Sequence, residues 1–137
     1  MRPYSDFIER IRSVGLRPTR QRLALAKLLF KGEDRHVTAE NLHKETKSEN
    51  MRVSLATVYN TLHQFKEAGL LREISIDGSR SYFDTNTKNH HHFYYEMDQK
   101  LGDIPDGIIS LKKLPEAPEG KKIKIVDIVI TISKSDN

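Results

Sequence analysis

The chain has 137 residues with no cysteine and no tryptophan, 36 % apolar and 31 % charged residues, and a formal charge of +4. That length accommodates one ordinary domain or two small ones, and so modest a stock of apolar side chains leaves either half marginal by itself. The composition excludes a disulfide framework and a thiolate zinc site. No run nears the roughly 18 apolar residues of a membrane span, and the start MRPYSDFIER lacks an apolar signal-peptide core, so the expected setting is the cytoplasm with no membrane partner.

A first helix is predicted over residues 4–14, from Phe7, Ile8, Ile11 and Val14 at helical spacing, with Gly15 as its stop. A second follows Pro18-Thr19, capped by Thr19, and runs through Leu23, Leu25, Ala26, Leu28, Leu29 and Phe30 to Gly32. A third starts at Thr38, whose hydroxyl can accept from the exposed backbone N–H groups that follow it, and extends to about Glu49. The fourth, residues 54–68, carries the most information. Ser54 is an N-cap, and Leu55, Val58, Leu62 and Phe65 form one buried stripe. That leaves Thr57, Asn60, Thr61 and Gln64 facing outward, with Tyr59 at the margin. Hydroxyls and amides on a nearly uncharged face can read base edges in a major groove. Gly69 closes this helix, and residues 71–76 and 79–83 flank Asp77-Gly78 as a hairpin. Helices followed by a two-stranded ribbon make a winged helix.

Charge favours the same half. Residues 1–84 carry 15 Lys/Arg against 11 Asp/Glu, whereas residues 85–137 carry 8 of each. A basic end beside a neutral remainder suits phosphate contact by one half only. The second half is less regular. A short helix is predicted within residues 101–114 from Ile108, Ile109, Leu111 and Leu114, broken by Pro115 and Pro118. Residues 121–133 then alternate as a strand, with Val126, Ile128, Ile130 and Ile132 on one face and Ile123, Ile125 and Val129 on the other. A strand apolar on both faces needs cover on both, so dimerisation through this region is expected. Between the halves stand His90, His91 and His92, an imidazole cluster able to bind iron, zinc or haem.

The ordered motifs Gly15-Leu16-Arg17-Pro18-Thr19-Arg20-Gln21-Arg22, His36-Val37-Thr38-Ala39-Glu40, Ser54-Leu55-Ala56-Thr57-Val58-Tyr59-Asn60-Thr61-Leu62 and His90-His91-His92-Phe93 resemble the ferric uptake regulator (Fur) superfamily along nearly the whole chain. The resemblance implies an α+β protein: a winged-helix DNA-binding domain over residues 1–84, a hinge over 85–89, and a small α/β dimerisation and metal- or haem-sensing domain over 90–137. It implies an iron-responsive homodimeric transcription regulator of double-stranded DNA rather than an enzyme. Two departures stand out. The positions that commonly form a Cys-x-x-Cys zinc site read Tyr95-Glu96-Met97-Asp98, so a tetrathiolate structural zinc is impossible, and Asn60 replaces an arginine in the fourth helix. With the His90–Phe93 segment and Gly102-Asp103-Ile104-Pro105, the chain resembles the cysteine-poor iron response regulators (Irr) within the superfamily. That resemblance implies control by haem.

Carried over residue by residue, the metal set falls on His36, Asp84, His90, His92 and Asp103. Alternate strand positions put His90 and His92 on one face, and mixed imidazole and carboxylate ligands suit Fe2+, Mn2+ or Zn2+. The haem candidates are His90, His91 and His92, where His91 is an axial ligand, a second-site metal ligand, or simply exposed. The DNA set is Arg17 at a minor-groove position, Arg20, Arg22 and Ser54 at phosphates, Thr57, Tyr59 and Asn60 at bases, and Arg80 near the hairpin turn. With Asn60 in place of arginine, A·T-rich operators are expected. The competing reading is a metalloenzyme or a haem- or metal-binding protein using the same histidines. HExxH, a nucleophile elbow and a phosphate-binding glycine loop are all missing from the sequence.

Overall fold

The structure, a computed structural model, describes residues 5–136. Among them are helices α1 (Ser5–Ser13), α2 (Arg20–Phe30), α3 (Ala39–Ser48) and α4 (Leu55–Glu67), with strands β1 (His36–Val37), β2 (Arg72–Asp77), β3 (Arg80–Asp84), β4 (His92–Tyr95), β5 (Lys100–Asp103) and β6 (Val129–Ile132). The chain divides into two compact units that part between Thr87 and Lys88. Tyr4, assigned to the first helix from sequence, lies outside the described residues.

The first unit follows from local signals. Thr19, Thr38 and Ser54 are extended N-caps whose side chains accept from Arg22, Asn41 and Thr57 backbone N–H groups. Gly15 and Gly69, at φ +82° and +89°, end α1 and α4 in the left-handed conformation that favours glycine. The next residue then donates back into the last turn, Leu16 N to Ile11 O and Leu70 N to Phe65 O. Leu25 and Leu29 of α2, Leu42 of α3, Val58, Leu62 and Phe65 of α4 and Phe83 of β3 bury together with Ile11 in one core.

The outward face of α4 differs from the expected one in two places. Leu55 is 40 % exposed, because it sits in the opening turn, beyond the edge of the core. Thr61 is only 5 % exposed, one turn from both Val58 and Phe65 on the buried stripe. The hairpin is also shifted. Asp77 pairs with Arg80, so Gly78-Ser79 form the turn, and Asp77 Oδ1 accepts from Ser79 N and Oγ, both at 2.8 Å. The sheet has a third strand, in the order β1-β3-β2.

The second unit is a sheet in the order β5-β4-β6, with β4 antiparallel to β5 and parallel to β6. No helix forms among its described residues, so the helix expected within residues 101–114 is absent. Leu101 is instead a β5 residue, Gly107 takes φ +84°, and the run left before Pro115 is too short to nucleate. The strand expected over 121–133 is reduced to Val129–Ile132, the four residues that β4 can pair. Strand geometry needs a hydrogen-bonded neighbour, and β4 supplies only that length.

Candidate functional site

In the first unit, β1 and β3 place His36 directly opposite Asp84, and opposed residues share one face of a sheet. His36 Nε2 lies 3.0 Å from Asp84 Oδ2, with the carboxylate only 1 % exposed. The other oxygen, Oδ1, accepts the Asn86 backbone N–H at 2.9 Å. The neighbouring backbone is fastened as well: Arg35 N donates to Thr85 Oγ1 at 2.8 Å, and Thr85 N to Arg35 O at 3.1 Å. The Arg35 guanidinium forks onto both oxygens of Glu45, tying the residue before β1 to α3, and this pairing holds its pKa above the ordinary arginine value. On the far side of Asp84, β2 sets Arg72 in register with it.

In the second unit, β4 and β5 set His92 opposite Asp103. His90 Nε2 and His92 Nε2 stand 3.0 and 3.6 Å from the same Asp103 oxygen, and their rings are 4.3 Å apart. The ligand atoms that His90, His92 and Asp103 offer lie within 4.8 Å of one another. His90 Nδ1 is 2.6 Å from the Lys88 carbonyl. A carbonyl only accepts, so Nδ1 donates to it, which fixes the ring and leaves Nε2, turned to Asp103, as the atom that would ligate an ion. The donor set therefore fits a divalent transition ion.

His91 is turned to a different task. Its Nδ1 accepts the Ile128 N–H at 3.2 Å, and its carbonyl accepts Ile104 N at 3.0 Å. The proton of the neutral ring is thus on Nε2. Coordination through Nε2 would require moving that proton and breaking the Ile128 bond. The cavity lined by His90, His91, Ile104, Pro105 and Ile109 measures about 170 Å³, below the roughly 300 Å³ at which small-molecule pockets begin.

The DNA-facing candidates gather on α4 and the start of α2. Ser54 Oγ accepts Thr57 N at 3.0 Å and donates to Thr57 Oγ1 at 2.9 Å, so both hydroxyls are engaged in the cap. Tyr59 is 44 % exposed, and its ring is backed by His63, which stands edge-on to Phe83. Asn60 is exposed beside it, while Arg17 and Arg20 are exposed at the α2 start. Arg22 is tied down: Nε and Nη2 donate to Gln64 Oε1 at 3.3 and 3.0 Å, and Nη1 donates to Arg17 O at 3.0 Å. With its oxygen held by Arg22, the Gln64 amide nitrogen is left as the outward donor. Arg80 is half-buried next to the hairpin turn. Sequence reasoning does not single out Arg35, Arg72 or the Arg22–Gln64 link; each depends on a pairing between distant segments.

The ferric uptake regulator family profile matches residues 13–133. The peroxide-responsive repressor PerR of Staphylococcus aureus strain Mu50 is 35 % identical over 99 residues, 72 % of this chain. The matched stretch spans 66 % of that repressor, just under two thirds of its length. In fold, the chain is similar to the ferric uptake regulator of Pseudomonas aeruginosa with manganese, with TM-score 0.69 and 24 % identity over 98 % of this chain and all of that one. It is likewise similar to the Vibrio cholerae ferric uptake regulator, with TM-score 0.74 and 22 % identity over 94 % of this chain and all of that one. With that profile covering most of its length, the chain belongs to the ferric uptake regulator family.

Proposed function

We propose that the chain is a metal-responsive transcription regulator that binds double-stranded DNA through its first unit and forms a homodimer through its second. The observation that carries this reading is matched ligand chemistry on either side of the link: a His36–Asp84 pair ends the first unit, and His90, His92 and Asp103 begin the second. A single Fe2+, Mn2+ or Zn2+ ion taking ligands from both would fix the angle between the units. In a dimer, that angle sets the spacing of two α4 helices, and so the fit to a dyad operator.

Tyr59, Asn60 and Thr57 are the base-reading residues in this proposal, with Arg17 in the minor groove and Arg20, Arg22, Arg80 and the Ser54 end of α4 at phosphates. Asn60 favours A·T-rich operators. The dimer is supported by β6, an edge strand in which Ile130 and Ile132 are 39 % and 38 % exposed. The cysteine-free chain, its His90-His91-His92-Phe93 run and Gly102-Asp103-Ile104-Pro105 support the iron response regulator branch and iron as the signal. A bare ion suits the cluster better than haem, since the adjoining cavity is small and ligation through His91 Nε2 would cost its proton and the Ile128 bond. Among the described residues no helix is long and apolar enough to cross a membrane.

Mn2+ and haem titrations of the purified protein, followed by calorimetry and visible absorption, test the ligand. Micromolar Mn2+ binding that His90→Ala and Asp103→Asn each abolish is the expected result. A haem Soret band that is lost in His90→Ala, with no Mn2+ binding, would replace the ion by haem.

A further inference from the structure

Asp84 has a neighbour on each side. Strand order β1-β3-β2 and the registers His36↔Asp84 and Arg72↔Asp84 place imidazole, carboxylate and guanidinium in one row across three strands. In-register residues of adjacent antiparallel strands have Cα atoms about 4.5–5.5 Å apart and side chains on one face. All three side chains are covered: Asp84 is 1 % exposed and Arg72 7 %, with His36 half-buried. Arginine is seldom buried this fully, and a β2 guanidinium facing inward is costly unless a charge nearby compensates. Burial lowers its pKa from the ordinary arginine value, and the Asp84 charge acts in the opposite direction.

The row has a consequence for a cation arriving at Asp84. The carboxylate already lies in the field of a positive charge that cannot leave. An arginine stays protonated under all ordinary conditions, so it does not yield to a metal as a histidine proton does. A divalent ion bound to His36 and Asp84 must therefore tolerate a fixed positive charge on the opposite side of the carboxylate. The same charge keeps Asp84 ionised and in place when no ion is present. We propose that Arg72 is the residue that sets the affinity of the metal centre, holding it below what the five ligands alone would give. It acts through Asp84 and is a positioning and charge-balancing residue rather than a ligand.

This inference rests on the metal-centre reading above. Its test is Mn2+ affinity by calorimetry on the wild type and on Arg72→Lys, Arg72→Gln and Arg72→Met, with far-UV circular dichroism verifying the fold of each. The two neutral variants are expected to bind Mn2+ roughly tenfold more tightly, because a like charge beside the ion is gone. Arg72→Lys, which keeps the charge, is expected within about threefold of wild type. A merely structural arginine would give the opposite sign, with all three variants binding more weakly in step with lost stability. Neutral variants that fold and bind Mn2+ equally or more weakly overturn the proposal. Should both neutral variants fail to fold, Arg72→Lys alone decides it, and a folded Lys variant with a roughly tenfold loss overturns it. His36→Ala separates the two claims: if it binds Mn2+ like wild type, the ion does not use the first unit, and the shared centre fails whatever the Arg72 variants do.

Discussion

The two units solve the burial problem differently. In the first, Ile11, Leu25, Leu29, Leu42, Val58, Leu62 and Phe65 are all completely buried. Four short helices each present an apolar stripe, and a three-stranded sheet closes the remaining side. In the second, Tyr94, Leu101 and Ile104 are covered, but Ile123, Ile125, Ile130, Ile132, Leu111 and Leu114 stay 38–48 % exposed. Helical stripes can meet within one chain through contacts close in sequence. A three-stranded sheet without helices has two faces and two edges, and too few residues to cover them. The first unit is therefore expected to be stable alone, and the second, in the proposed homodimer, to depend on association and hence on concentration.

The strongest way to sharpen this contrast is a cavity in the first unit. Leu62→Ala should cost about 2–5 kcal/mol in urea unfolding, with a midpoint that does not move with protein concentration. A concentration-dependent midpoint for that transition would mean that the first unit also leans on a partner. Next in size, Tyr59→Ala should lose about 1–3 kcal/mol of discrimination between operator and scrambled DNA while leaving the unfolding midpoint nearly unchanged, since Tyr59 lies on the outward face. Ile130→Lys and Ile132→Lys should each weaken dimerisation by at least about tenfold in sedimentation velocity, because the proposed interface draws its association energy from apolar burial at β6. Helix content should stay at the wild-type level, as β6 touches no helix of its own unit. The smallest effect is expected at a solvent-reachable ion pair: Glu45→Gln, which loosens the Arg35 fork, should cost roughly 0.2–1 kcal/mol.

What is legible in the sequence follows the same division. Thr19, Thr38 and Ser54 caps and the Gly15 and Gly69 stops are written in runs of four or five residues, and the first unit forms from them. Thr61 and Leu55 exchange roles because a stripe read by polarity does not know where the core ends. Strand β1 has two residues and exists only because β3 pairs with it, so no periodicity could announce it. Arg72 reads in sequence as an ordinary charge at a strand start, and only the three-strand register turns it toward Asp84. In the second unit, alternation over residues 121–133 is real as a pattern, yet pairing is a property of two strands, and β4 is four residues long. Motif resemblance names the candidate ligands, while their pairing through Asp84 and Asp103 comes from register.

The most direct measurement is operator affinity by fluorescence anisotropy during an Mn2+ titration, made on the wild type, on His36→Ala and on His90→Ala/His92→Ala. One ion shared by the two units predicts that Mn2+ shifts wild-type affinity by at least about tenfold, a coupling of roughly 1.4 kcal/mol, and that neither variant responds. A full Mn2+ response in either variant would contradict a shared centre.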